Sequence, residues 1–202
     1  RGGATAQTHF CSRTFENAVW HAHAIFETLK ARPDVRPDLV VAHSGFSTAV
    51  FLRELYDCPI INYFEYFYRT RQSDMDFRPD FPCSELAMLR AHTRNAALLL
   101  DLENCDAGYS PTQYQRSLFP PEYHGKVRTI FDGVDTTVWR RTREAPKTIA
   151  GERLPDGTRL VTYVSRGMES MRGFDIFLKI AKRLCDDRSD VVFAVVGEDR
   201  VC

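Results

Sequence analysis

A chain of 202 residues with 44% hydrophobic and 27% charged side chains, 11 glycines and 10 prolines is neither a disordered linker nor a collagen-like or charge-stabilised tail. A chain of this length buries roughly 70% of the surface that it exposes when extended. Its 27 basic residues balance 27 acidic ones, so nothing draws it as a whole to a polyanion, and nucleic acid is not an expected partner. The densest basic stretch, Arg140 to Lys147, reads as a solvated linker. No run approaches the roughly 18 apolar residues of a membrane-spanning helix. The amino terminus RGGATAQTHF has no apolar core segment or cleavage-like site, and the expectation is a soluble, cytoplasmic protein. Cysteines at 11, 58, 83, 105, 185 and 202 lack CxxC pairing and read as mostly reduced core residues. His21 and His23, two apart on an expected helix, do not face one metal.

Thr14 is the expected N-cap of a first helix, in which Phe15, Ala18, Val19, Ala22, Ile25, Phe26 and Leu29 recur at three and four residues. Pro33 and Pro37 end it. Asp38 to His43 reads as a short buried strand, the segment SGFSTAVFLRELYD as a helix of about ten residues from Gly45, and Pro59 to Phe64 as the next strand. Strand, helix, strand is a βαβ rhythm, which predicts an α/β fold with a parallel sheet covered by helices. Tyr66 to Pro82 mixes aromatics, opposed charges and prolines without either period and reads as a long loop. Ser84 caps a helix that carries Glu85 in its first turn and continues through Leu89, Thr93 and Ala96 to Leu100. A strand at Ala107 to Tyr109, a helix from Ser110-Pro111-Thr112, a stop at Pro120-Pro121 and a strand at Lys126 to Phe131 follow.

The glycines and prolines between 132 and 157 mark the expected boundary. They divide the chain into a first Rossmann-like domain at 1–145, a linker at 146–157 and a second domain at 158–202. There the rhythm restarts with Arg159 to Ser165, a helix from about Gly173 to Leu184, and Val191 to Val196. Two strands and one helix do not close a sheet on both faces, so the second domain reads as truncated, with self-association through its exposed apolar surface as a consequence. The first domain reads as lacking its opening strand.

In parallel sheets ligands bind beyond the carboxyl ends of the strands, and three such ends carry chemistry here. His43 and Ser44 follow the first strand. Glu65 follows the second, where a carboxylate either accepts a sugar hydroxyl or pairs with Arg69 or Arg71. Arg166, Gly167, Arg172 and Gly173 follow the first strand of the second domain. Two guanidiniums beside a helix start suit a phosphate group; surface salt bridges are the alternative.

The run Val164-Ser-Arg-Gly-Met-Glu-Ser-Met-Arg-Gly-Phe174 with VVFAVVGED after it resembles the opening of the donor-binding domain of family 4 of the retaining glycosyltransferases, which have the GT-B fold. So do Gly108 to Phe119 continuing into Asp132-Gly133-Val134-Asp135, and the D-x-V-x-x-H segment from Asp38 to His43. The resemblance implies transfer of a sugar from a nucleotide-diphosphate donor to a carbohydrate or glycolipid acceptor, with peripheral contact at the inner membrane face within its range. Arg166 and Arg172 would contact the diphosphate and stabilise the leaving group, with Gly167, Gly173, Gly197 and Glu198 shaping the donor site. His43, Ser44 and Glu65 would position acceptor or sugar. Asp199 stands where the family has a glycine, and Glu65 where it commonly has a histidine. No cofactor or metal is expected, because the arginines supply the positive charge. Complete relatives run near twice this length, so the resemblance implies an internal fragment that does not transfer sugar by itself. A nucleotide-sugar epimerase or phosphorylase of the same fold, and a noncatalytic α/β binding module, are the alternatives.

Overall fold

The computed structural model describes residues 2–46, 49–140 and 147–198. The chain divides into two compact units, Arg1–Gly133 and Val134–Cys202. The first holds a four-stranded parallel sheet in the order β1 (Val40–His43), β2 (Ile60–Tyr63), β3 (Ala107–Ser110), β4 (Val127–Thr129). Val40 pairs with Ile60, Ile61 with Ala107, and Gly108 with Val127. This is the expected α/β architecture with helices against a parallel sheet.

Helix α1 (Arg13–Lys30) begins two residues earlier than expected: Ser12 is its N-cap and Thr14 lies inside it. Between β1 and β2 the expected ten-residue helix is replaced by two 3₁₀ turns, Ser44–Phe46 and Leu52–Glu54. Gly45 and the β-branched Val50 weaken a helix there. The tighter spacing is seen in Leu52 N–H to the Ala49 carbonyl at 3.0 Å and Leu55 N–H to the Leu52 carbonyl at 3.1 Å. Ser47 and Thr48 of that segment lie outside the described residues.

The helix expected from Ser84 to Leu100 is two helices, α2 (Glu85–Arg94) and α3 (Ala96–Asn104). Ser84 caps the first, accepting from Ala87 N–H. The break falls at Asn95, whose buried amide accepts from Tyr68 N–H at 2.9 Å and donates to the Tyr68 carbonyl at 2.8 Å. Thr112, rather than Ser110 or Pro111, caps the short α4 (Gln113–Ser117), because its hydroxyl accepts from Gln115 N–H. α3 packs on β2 and on the 44–46 turn, and α1 and α2 pack on α3. The core below gathers Ile60, Phe64, Leu98, Leu102, Phe119 and Val127, each 5% exposed or less. No helix among the described residues is long and apolar enough to cross a membrane.

The second unit opens with an antiparallel hairpin, β5 (Thr148–Ile149) and β6 (Glu152–Arg153), within the stretch expected as a linker. Its turn places Ala150 and Gly151 at φ 50° and 85°, the left-handed pair that matches hairpin twist. β7 (Arg159–Val164) and β8 (Val191–Val196) pair in parallel, joined by α5 (Phe174–Asp187). Phe177 is wedged between Tyr163 and Phe193, with ring centroids 5.2 Å and 5.8 Å away. Leu178 and Val195 are exposed, at 49% and 44%.

Candidate functional site

In the first unit β1 and β2 end side by side, with His43 paired to Tyr63, so the residues after them share one end of the sheet. His43 Nδ1 accepts from Gly45 N–H at 3.0 Å, which leaves the proton of a neutral imidazole on Nε2. That nitrogen is 4.0 Å from Glu65 Oε2. Among the described residues Glu65 pairs with neither Arg69 nor Arg71, and Arg69 Nε donates to the Leu118 carbonyl. The backbone of Glu65 is fixed instead by Gln115, whose amide donates to the Glu65 carbonyl at 2.8 Å. The His43 ring lies 4.8 Å from the Tyr63 ring. The Tyr63 hydroxyl donates to Asp132, and burial together with that carboxylate pushes its pKa up to about 12.

Ser44 faces inward. Its Oγ donates to Oδ2 of Asp101 at 2.8 Å, and both residues are at most 1% exposed. Burial pushes the Asp101 carboxyl up to about 6, against the smaller lowering effect of the Ser44 hydrogen bond. Its Oδ1 has no hydrogen-bond partner among the described residues. Sequence reasoning missed this residue, although a carboxylate inside the apolar run AALLLDL is a visible anomaly.

Beside this sheet end lies a cleft of about 250 Å³. Asn17 and His21 of α1 line it together with Glu65, Tyr66, Tyr68 and Arg94. His21, read from sequence as a packing or solvent residue, is on its wall, and so is Ser44. Arg94 was not singled out by its position in the chain; nothing local marks it, since its place depends on Tyr68, 26 residues away.

In the second unit Arg166, Gly167, Arg172 and Gly173 occupy the loop from β7 to α5. Ser165 N–H donates to the Val196 carbonyl, and Gly167 N–H reaches Ser165 Oγ at 3.4 Å. Arg166 is exposed and Gly167 buried. Arg172 ends a 3₁₀ turn and pairs with Glu169, Nε to Oε2 at 3.2 Å. Gly173 is left-handed at φ 74°, and the next N–H, that of Phe174, donates to the Glu169 carbonyl. Gly197, at φ 147°, packs against Ser165, so it and the exposed Glu198 stand at the same strand ends as the arginine loop. Asp199 lies outside the described residues, as does most of the basic stretch after Arg140.

The unit thus offers cations beside a helix start, and the first unit offers a histidine, a carboxylate and hydroxyls beside an aromatic cleft. Among known proteins, the family model of the glycosyl transferase family 4 group matches residues 1–139. A search of curated proteins gave no match.

Proposed function

Because this chain belongs to the glycosyl transferase family 4 group, we propose that it serves transfer of a hexose from a nucleotide-diphosphate donor to a hydroxyl acceptor with retention of configuration. The observation that carries this reading is the grouping of His43, Ser44 and Glu65 around the ends of β1 and β2, next to a cleft with aromatic and hydrogen-bonding walls. Glu65, 63% exposed, accepts a hydrogen bond from an acceptor hydroxyl, and His43 orients it from Nε2. Ser44 acts through its backbone, because its hydroxyl is taken by Asp101.

Departure of a nucleoside diphosphate builds negative charge on the leaving oxygen while the sugar acquires oxocarbenium character. Fixed cations placed beforehand stabilise that charge without reorganising. Arg166 and Arg172 supply them in this reading, and no divalent cation is needed. Arg172 exchanges its contact with Glu169 for the phosphate, a swap of one anion for a more highly charged one. The acceptor is a carbohydrate or glycolipid.

Calorimetric titration of the protein with UDP and GDP tests the donor half. Arg166→Ala and Arg172→Ala are each expected to weaken whichever nucleotide binds by about tenfold. Their double variant should lose less than the sum, since both hold one diphosphate. Unchanged affinity in both variants removes the diphosphate role. Release of nucleoside diphosphate that depends on an added acceptor, measured on a chain that carries the rest of the donor domain the resemblance implies, tests transfer itself.

A further inference from the structure

We propose that the cleft of the first unit takes an acceptor sugar bearing an anionic group, a carboxylate or a phosphate ester, held by Arg94. The inference rests on the glycosyltransferase reading and narrows the class of its acceptor. Arg94 lines the cleft and is half-buried. Its Nη2 donates to the Tyr68 hydroxyl at 2.6 Å, and the guanidinium carbon stands 3.7 Å from the centre of that ring. The fork is therefore held in one orientation. Its Nε–H is buried and has no partner among the described residues.

One turn earlier on α2, Arg90 repeats the arrangement. It lies over the Phe10 ring at 4.7 Å, donates to Thr14 Oγ1 at 3.0 Å, and its buried Nε also lacks a partner among the described residues. Thr14 is itself on the cleft wall. Neither guanidinium forms an ion pair with a described carboxylate. The carboxylates nearby are engaged elsewhere: Glu65 faces His43 at 4.0 Å, and Asp74 accepts from the Tyr66 hydroxyl at 3.0 Å.

Half-burying the Arg94 guanidinium without an anion is costly, and an anion bound in the cleft lowers that cost; Arg90 does not line the cleft and adds only to the positive charge beside it. A planar guanidinium held flat against a tyrosine ring matches the oxygens of a carboxylate or phosphate better than it matches a single hydroxyl. The cleft is smaller than the roughly 300–1,000 Å³ that takes drug-sized ligands and suits one sugar unit. The Asn17 amide NH2 and His21 stand on the wall toward its hydroxyls, and Tyr66 toward its apolar face, while Tyr68 carries the stacked Arg94.

The test is titration of the protein with glucose, glucuronate, glucose 6-phosphate and inorganic phosphate. It is followed by calorimetry and by the Arg94 Nε–H signal in nitrogen-15 NMR. Glucuronate or glucose 6-phosphate is expected to bind about tenfold tighter than glucose or inorganic phosphate and to shift that signal. The tighter of the two identifies the anionic group. Arg94→Gln should abolish the difference; if it does not fold, Arg94→Lys should reduce it, because a point charge replaces the fork. Equal binding of glucose, inorganic phosphate as tight as the sugar anions, undiminished preference in the variant, or no binding at all overturns the proposal. These results are independent of nucleoside diphosphate release, so loss of the transferase reading would be seen separately.

Discussion

Gly197→Ala is expected to destabilise the second unit by about 4 kcal/mol, the sum of overpacking at about 1–3 kcal/mol and backbone strain of similar size. A Cβ at Gly197 would stand 1.8 Å from the Ser165 carbonyl oxygen, and φ is 147°, where a side chain is strained in any surroundings. Neither partner yields easily, since Ser165 N–H is bonded to Val196, the residue before the glycine. The clash therefore parts the ends of β7 and β8 and displaces the loop that carries Arg166 and Arg172. Gly173→Ala is the control. It too has a positive φ, at 74°, but open space surrounds its missing Cβ, so only the left-handed cost of about 1–2 kcal/mol applies. Hydrogen exchange of β7 and β8 amides reads both variants; equal protection in the two would refute the close-approach argument.

The second large effect is electrostatic. Asp101 has a folded-state pKa of about 6 against an ordinary 3.8, raised by burial. The folded state therefore binds the proton more tightly than the unfolded chain. The associated stability is complete below about pH 4 and is lost as pH rises through 6, reaching about 3 kcal/mol for a shift of this size. Asp101→Asn keeps an acceptor for Ser44 Oγ and carries no charge. Its stability relative to the parent should climb between about pH 4 and 6 and then level off. Taking the difference removes the contribution of carboxyls such as Asp106, which Arg53 holds below the ordinary value and which acts in the opposite sense. Urea denaturation at pH 4, 5, 6 and 7 measures it, and parallel curves for the two proteins would show that the carboxyl is not titrating in the fold.

Asp101, which sets the pH dependence, and Arg94, which holds the proposed anion, were illegible for different reasons from those that made β1 and β2 plain. Asp38 to His43 and Pro59 to Phe64 are short apolar runs bounded by proline, and the rule that ligands gather beyond strand ends then singles out His43, Ser44 and Glu65. α2 and α3 read as one helix because their apolar period continues across Asn95. What separates them is a pair of hydrogen bonds to Tyr68, 27 residues earlier, and no local propensity encodes a partner so distant. Arg94 is selected by the same tyrosine through its ring and hydroxyl. Asp101 is legible only as an oddity in an apolar run, and its contact with Ser44, 57 residues away, is tertiary. The turn between β1 and β2 fails for a smaller reason: its apolar spacing suits a helix, whereas the chain closes 3₁₀ turns there.

The double hydrogen bond of Asn95 also decides where the chain tolerates a change of length. Tyr68 is pinned to the helix break, and the chain after it is knotted locally: Ser73 Oγ donates to the Arg69 carbonyl, and Gln72 and Ser73 N–H both donate to the Asp76 carboxylate. The residues from Pro79 to Ser84 are exposed, with only Phe81 N–H bonded back to the Arg78 carbonyl among their described backbone–backbone hydrogen bonds outside the helix, and at Ser84 the next helix starts with its own cap. Residues inserted between Pro79 and Pro82 lengthen a tip whose two ends are already fixed, at a cost of about 0.6 kcal/mol for each doubling of loop length. The tyrosines of the cleft stand on the anchored side of that tip. A library of insertions there can therefore add new recognition elements while the tyrosines of the cleft stay anchored, whereas an insertion between Tyr66 and Ser73 would dismantle it.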